Sequence, residues 1–402
     1  MTNRSKVIIA GCGLAGPVTA IALTRAGYDV TIYEARPSSN DAGAFLNLAS
    51  NGLAALSTIE VDRAATCEGF ATPRMTMWSG SGKKLGDVAN GMTLADGTSS
   101  ITVRRAGLHR ALRREAERRG IAIVEGRRVV EAETIAGDVA VVRFDDGSET
   151  TADLLVGADG LWSRIRRAID PGAPQPRYCG MLSIGGFAQV PELDPTPETF
   201  HMVFGRRAFF GYSVTASREV YWFANVAHAA EPSREELAST PAAAWRSRLL
   251  ELFEGDRGPM RPILEAADGI TVHPVHDMPS VPCWHRGRLV LVGDAAHATS
   301  PSAGQGASMA FEDAVVLAAF LRDRSERDIE RALDAYACHR RSRVERVLRY
   351  SARLGNTKVL GPLGSWLRDA LMPVGLKYFA SPKAHAWLYA HPIERDIAHA
   401  TS

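Results

Sequence analysis

Six residues near the start of the chain, Gly11-Cys12-Gly13-Leu14-Ala15-Gly16, limit its fold more than any other stretch. They follow an apolar run, Lys6–Ala10, that reads as a short buried strand. They precede Pro17–Ala26, whose pattern is helical and stops at Gly27, and a second strand follows at Tyr28–Glu34. So tight a strand–helix–strand order requires parallel pairing with a right-handed crossover, the start of an open α/β sheet. Gly11 allows the tight turn, Gly13 lets the backbone approach a pyrophosphate, and Gly16 lets the helix pack on the strand. The free N–H groups and the positive end of the helix dipole then face the phosphates. Glu34, eighteen residues beyond Gly16, stands where an acid accepts hydrogen bonds from ribose hydroxyls. Alone, the motif does not separate NAD from FAD.

Two further segments end strands in Gly and Asp. In Gly157-Ala158-Asp159-Gly160-Leu161-Trp162-Ser163-Arg164-Ile165-Arg166 the strand is Ala152–Val156. Asp159 falls at the carboxyl edge of the sheet, where ligands of open α/β folds bind. Equally, Asp159 or Ser163 could cap a helix over Leu161–Ala168. The other segment, Gly293-Asp294-Ala295-Ala296-His297 then Pro301-Ser302-Ala303-Gly304-Gln305-Gly306, follows the strand Arg288–Val292 and feeds a helix from Ala307 to Leu321. Its glycines admit a ligand to the backbone, and the helix dipole would stabilise negative charge there, as on the N1–C2=O edge of a reduced flavin.

At 402 residues the chain has room for two or three compact units. Asn51–Leu56 opens a helix, Ala106–Arg119 is another, and Ile121–Glu125 reads as a strand. Val139–Thr150 is a hairpin about Asp145-Asp146-Gly147. After the proline-rich Pro171–Pro176 and Pro191–Pro197 the character changes. Ala208–Val214 and Glu219–Ala227 are aromatic-rich strands of an antiparallel sheet, a separate substrate-side unit. The α/β pattern returns at Gly287–Val292, and residues 350–402 are helical with a break at Met372-Pro373. The expected fold class is therefore α/β. A Rossmann-like domain takes residues 1–75, 98–172 and 276–350, an inserted mainly antiparallel β-sheet domain 76–97 and 173–275, and a C-terminal helical segment 351–402.

Charge and cysteine usage exclude several classes. Lys and Arg (47) nearly balance Asp and Glu (45), so no global field attracts nucleic acid. Seven arginines in 104–119 are interrupted by Glu115 and Glu117, which marks a solvated helix face. Five scattered cysteines form no disulfide framework or metal site. With no leader and no run of about 18 apolar residues, the expected setting is a reducing cytoplasm without an integral membrane span.

The ordered set GxGxxG with Glu34, GADGxxSxxR and GDAAHxxxPxxGQG resembles the class A FAD-dependent monooxygenases, the p-hydroxybenzoate hydroxylase-like group, from Val7 to about residue 350. The resemblance implies their FAD-binding fold and a non-covalent FAD. It assigns cofactor contacts to Gly11, Gly13, Leu14, Ala15, Gly16, Glu34, Ala35, Arg36, Val129, Asp159, Asp294, Pro301, Gly304, Gly306 and Ala307. Ala42–Leu48 with Asn51-Gly52 resembles the family's flavin-flanking loop. Val103–Leu108 resembles its Arg-x-x-Leu, with spacing that favours Arg105 over Arg104. No second GxGxxG appears, which agrees with NADPH or NADH as a transient co-substrate. The implied activity is hydroxylation or epoxidation of an aromatic or polyketide-like small molecule by O2 through a flavin C4a-hydroperoxide, with no protein nucleophile. Alternatives are an FAD-dependent reductase or dehydrogenase on the same fold, or a non-catalytic binding protein.

Pocket candidates come from the aromatic strands. Phe210 and Tyr212 share one face, Trp222 lies on the next strand, and Arg206 at a turn could meet an anion or be exposed. His201 is a weak general base, His297 reads as structural, and Cys12 as packing. Leu360–Tyr389 is amphipathic and either packs on the substrate side or lies on a membrane surface. The expected state is a monomer or homodimer.

Overall fold

The computed structural model describes residues 4–36, 45–135, 138–355, 362–379 and 382–401. The strand Lys6–Ala10 is buried after its first residue and runs inside a six-stranded sheet. Its parallel neighbours are Asp29–Glu34 and Leu154–Gly157. Ala122–Glu125 and Leu289–Leu291 extend the sheet in parallel, and His285–Arg286 adds an antiparallel edge. Continuous apolar strands are what a parallel sheet between helical layers demands. The helices Ala15–Arg25 and Gly306–Leu321 pack together, and every residue of the latter from Ser308 on is buried. The expected hairpin forms from Val139–Phe144 and Glu149–Ala152, with Val129–Ile135 as a third strand. Two strands are shorter than expected, because Ala152 closes the hairpin and Gly287 turns at φ +54° before Leu289.

A seven-stranded sheet faces this body. Its order is Ala267–Asp277, Arg177–Gln189, Glu219–Ala227, Ala208–Val214, Thr199–Phe204, Arg74–Ser79, Lys84–Ala89. Neighbours are antiparallel except Thr199–Phe204 with Arg74–Ser79. Side chains alternate across a sheet, and the two faces differ sharply. Leu182, Ile184, Phe210, Trp222 and Ala224 pack beneath the helices Ala242–Leu252 and Met260–Glu265 with Trp245, Leu249 and Ile263. The opposite face carries Phe187, Phe200, Tyr221 and Phe223, all in ring contact with Phe45.

The C-terminal part departs from expectation at one point. The helix Pro362–Phe379 runs through Pro373 rather than breaking there. An internal proline loses one helical hydrogen bond and clashes with the carbonyl four residues back, at a cost of roughly 3 kcal/mol. Contacts in the turn just before it offset that cost. Arg368 Nη2–H donates to the Phe204 carbonyl at 3.4 Å with its guanidinium 4.7 Å from that ring's centroid, and Met372 joins Leu85, Phe204 and Phe209. The segment therefore packs on the seven-stranded sheet. Among the described residues no helix is long and apolar enough to cross a membrane, and no cluster could hold a metal ion.

Candidate active site

The glycine loop has the geometry its spacing predicts. Gly11 adopts φ +105°, and a Cβ there would stand 2.5 Å from the Ala158 carbonyl oxygen. A Cβ on Gly16 would lie 2.1 Å from the Gly11 carbonyl oxygen, so helix and turn touch backbone to backbone. At Gly13 a Cβ would meet nothing within 4 Å. That open side faces away from the fold, where a pyrophosphate fits. Glu34 accepts from the Cys12 N–H (2.7 Å) and the Arg36 N–H (3.0 Å), which fixes its carboxylate at the end of its strand. Leu14 and Ala15 start the helix, and Val129 is buried beside the Arg127–Glu34 backbone hydrogen bond. Burial pushes the Cys12 thiol up to about 12, in keeping with a packing role.

Asp159 is occupied locally. Its carboxylate accepts from the Ser163 hydroxyl (2.5 Å), the Arg164 N–H (2.7 Å) and the Ile165 N–H (3.2 Å), capping the helix Arg164–Ile169. Burial pushes this carboxyl above its usual range, and those hydrogen bonds oppose the shift. The motif's last arginine, given no role above, joins the segments. Buried Arg166 donates to the Ala295 carbonyl (2.9 Å) and the Leu161 carbonyl (2.8 Å).

Asp294 is exposed and makes no hydrogen bond among the described residues. It lies 4.0 Å from where a Cβ on Gly306 would stand. Gly304 is left-handed (φ +61°), with Asn47 Oδ1 3.8 Å from its Cβ position. The first helical acceptor of the following helix is Gln305, to the Met309 N–H, so the N–H groups of Gly306, Ala307 and Ser308 have no helical partner. Pro301 opens the single turn before them.

Beneath this loop lies a charged cluster that sequence reasoning missed. Arg340, Glu312 and Asp313 are fully buried. Arg340 donates to Glu312 Oε2 and to Asp313 Oδ1, each at 2.8 Å. Arg343 adds two hydrogen bonds to Glu312 at 2.6 and 2.7 Å. Asp313 Oδ2 accepts from the Gly293 N–H (2.9 Å) and lies 2.5 Å from His297 Nε2. Asn51 donates to Glu312 (2.8 Å) and to Gln305 (3.0 Å). Burial pushes both carboxyls up, but Arg343 and Arg340 hold Glu312 well below its usual range, and His297 and Arg340 do the same for Asp313. His297 is thus part of the scaffold, and both ends of the Gly293–Gly306 segment hang from one buried network.

The adjacent arginines divide. Arg104 is paired with Glu219 on the facing sheet, its guanidinium 3.8 Å from the Phe187 ring centroid. Arg105 is exposed and opens the helix Arg105–Arg118, on which His109 contacts the Cys12 carbonyl at 2.6 Å. Arg105 is left available beside the phosphate loop. Arg36 is also exposed; Ala42-Gly43-Ala44 lie outside the described residues.

The pocket expectation needs correction. Phe210 and Trp222 are fully buried and stack at 5.8 Å under the outer helices. Tyr212 stacks on His201, which accepts from Trp78 Nε1–H at 2.9 Å, so His201 is also engaged in packing. Arg206 is 68% exposed, 3.8 Å from Asp256. Apolar alternation does not say which face is in, because outer helices bury that face as thoroughly as a partner domain would. The cleft face holds Phe187, Phe200, Tyr221 and Phe223, with Asn225 in line. Asn225 is 1% exposed, and neither amide atom has a partner among the described residues. Phe45 meets that wall, and Asn47, on the same strand Phe45–Leu48, sits by Gly304. The wall and the loop thus lie about 7 Å apart, two residues along a strand.

The open side of Gly13, the free Asp294 carboxylate and the helix N-terminus behind Gly304 fit FAD. Comparison with known proteins agrees. Residues 4–351 match the FAD binding domain family. The chain is 33% identical over 384 residues to aurachin C monooxygenase/isomerase of Stigmatella aurantiaca, covering 92% of this chain and 94% of that one. It is 28% identical over 419 residues to salicylate hydroxylase of Pseudomonas putida, covering 98% and 94%. A solved structure of Klebsiella pneumoniae HpxO with FAD and uric acid superposes with a TM-score of 0.82 at 26% identity, over 93% of this chain and 94% of that one. The chain belongs to the FAD binding domain family and is an FAD-dependent monooxygenase.

Proposed function

We propose that this monooxygenase hydroxylates or epoxidises an aromatic or polyketide-like small molecule, with NADPH or NADH as electron donor. The supporting observation is the four-residue strand Phe45–Leu48, which touches the aromatic wall with Phe45 and the Gly304 loop with Asn47. A flat ring held against that wall stands beside the place a flavin ring would take. Bound FAD supplies the redox and oxygen chemistry; the chain's residues bind, orient and exclude water.

In this reading Gly11–Gly16 and Arg105 hold the phosphates, Glu34 the adenosine ribose, and Asp294 the ribityl hydroxyls. The N-terminus of Gly306–Leu321 would favour negative charge on the edge of a bound flavin. Arg104 pairs with Glu219 across the two layers and keeps the cleft closed on that side. Asp159, Arg166 and the Arg340 network keep the segments in register. The protein works in the cytoplasm as a monomer or homodimer, in line with its scattered free cysteines.

The test is a flavin spectrum of the purified protein, followed by NADPH and NADH oxidation with a panel of phenols and hydroxylated heteroaromatics under labelled O2. Label in the product supports the reading. NAD(P)H oxidation that puts no label in any product supports the reductase instead, and a protein that takes up no FAD overturns both.

A further inference from the structure

We infer that a row of three uncharged polar side chains, His273, Ser183 and Asn225, recognises the substrate through neutral hydrogen bonds and selects an aromatic amide or lactam over an aryl carboxylate. This rests on the proposed function above and names its substrate class. The three residues come from three neighbouring strands. Ser183 is the register partner of His273 on one side and of Asn225 on the other. Their chain neighbours Leu182, Ile184, Ala224 and Val226 all pack in the outer core, so the row itself looks into the cleft. It spans about 10 Å, two strand spacings, the length of a two-ring aromatic.

The row has no internal purpose. Among the described residues both Asn225 amide atoms lack a partner, although the residue is 1% exposed. Neither the Ser183 hydroxyl nor the His273 ring makes a hydrogen bond there either. Buried polar groups in folded proteins are nearly always satisfied, and an amide that offers a donor and an acceptor side by side matches a ligand edge that offers the same pair. Asn225 is flanked by Phe209 and Phe223, whose rings lie 5.9 Å apart, so a ligand edge reaches it by displacing those rings.

Charge on this face favours a neutral ligand. Arg104 is paired with Glu219, and Arg368 with Asp369. Arg105 is near enough to act on His273 but belongs to the helix beside the phosphate loop and is assigned above to the cofactor. His273 lines an open cleft that water still enters. The surrounding protein, and then Arg105, hold its pKa below the ordinary imidazole value, so it stays neutral at pH 7. A carboxylate brought to such a row would lose hydration without gaining a counter-ion.

Calorimetry on the purified protein with added FAD tests this with salicylamide against salicylate and benzamide against benzoate at neutral pH. The wild type is expected to bind each amide on the order of ten-fold more tightly than its carboxylate. Asn225→Leu, similar in shape and unable to hydrogen-bond, is expected to remove that preference while FAD affinity is unchanged. Ser183→Ala, a change that endangers no core contact, is expected to reduce it. Carboxylates bound as tightly as amides by the wild type overturn the inference, as does an Asn225→Leu protein that keeps the preference, which would mean a buried water or plain packing satisfies the amide. The FAD titration in the same instrument reads the function proposal separately: no FAD binding defeats that proposal, whereas the amide–carboxylate ratio still judges the row.

Discussion

Replacing Arg340 by methionine removes the cation from a fully buried cluster and leaves two carboxylates facing each other. Glu312 keeps Arg343 and Asn51. Asp313 keeps His297 and the Gly293 N–H, but each loses a 2.8 Å charged hydrogen bond. Breaking a buried ion pair from one side typically costs about 3–5 kcal/mol, because the remaining charge is left uncompensated. Unfolding entropy of about 2.1 cal/mol/K per residue gives about 0.8 kcal/mol per degree for a chain of this length. The expected fall in Tm is therefore about 5 °C. The second effect is local. Asp313 holds the Gly293 N–H and, through Glu312 and Asn51, the cluster reaches Gln305. Both ends of the flavin-side segment should loosen, and FAD affinity should drop on the order of ten-fold, about 1.4 kcal/mol. Differential scanning calorimetry of the apoprotein and quenching of FAD fluorescence on binding measure the two separately. Arg340→Lys, which keeps the charge and loses the fork, should fall between. A methionine variant that melts within about 1 °C of wild type and binds FAD equally well would refute the idea that this network positions the loop.

Other expectations follow from single contacts. Gly13→Ala should leave the apoprotein's Tm unchanged, since its Cβ enters open space, yet abolish FAD uptake; Gly16→Ala should instead prevent folding, because its Cβ would stand 2.1 Å from a carbonyl oxygen. Circular dichroism with FAD titration distinguishes them. Phe210→Ala should destabilise by about 3–5 kcal/mol in denaturant titrations without altering relative kcat/KM across substrates, whereas Phe223→Ala should alter the ranking at smaller cost in stability. Glu312 is held well below its ordinary 4.5 in the folded state. A carboxylate depressed by folding stabilises above its unfolded pKa, so this contribution is complete at neutral pH and is lost as pH falls below about 4.5; apoprotein melts across that range should show it, and Glu312→Gln should flatten the slope.

The dinucleotide half was legible because its signals are local. Gly11, Gly13, Gly16 and Glu34 lie within one strand–turn–helix–strand, where spacing alone dictates geometry. The turn at Gly304 and the helix start at Gly306 were legible for the same reason. Asp159 was open between a cap and a cofactor ligand; in the structure it accepts from two helix N–H groups and from the Ser163 hydroxyl. The Arg340 cluster was not visible because Arg340 lies 27 and 28 residues from its two carboxylate partners, on a helix whose amphipathic pattern treats a buried arginine as a solvated one. The cleft wall failed by parity. Alternation in Glu219–Ala227 gives two faces, and both are covered, so naming Trp222 instead of Phe223 is a one-residue error that inverts the wall. A signal was present in Phe45, the one aromatic within the flavin-flanking stretch Ala42–Leu48, which marks the side the rings must face. The continuation through Pro373 was illegible because the contacts that hold it come from Phe204 and Phe209, far away in sequence.

That parity has an evolutionary reading. In Glu219–Ala227 the even positions, Val220, Trp222, Ala224 and Val226, anchor the outer core, while Tyr221, Phe223 and Asn225 look inward. Selection on what the cleft accepts acts on one set of residues, and selection on folding acts on the other, although both sit on one nine-residue strand. A library randomised at positions 221, 223 and 225 should therefore retain soluble, flavin-loaded members at far higher frequency than one randomised at 220, 222 and 224. Substrate range on this scaffold is free to drift with little drag from stability.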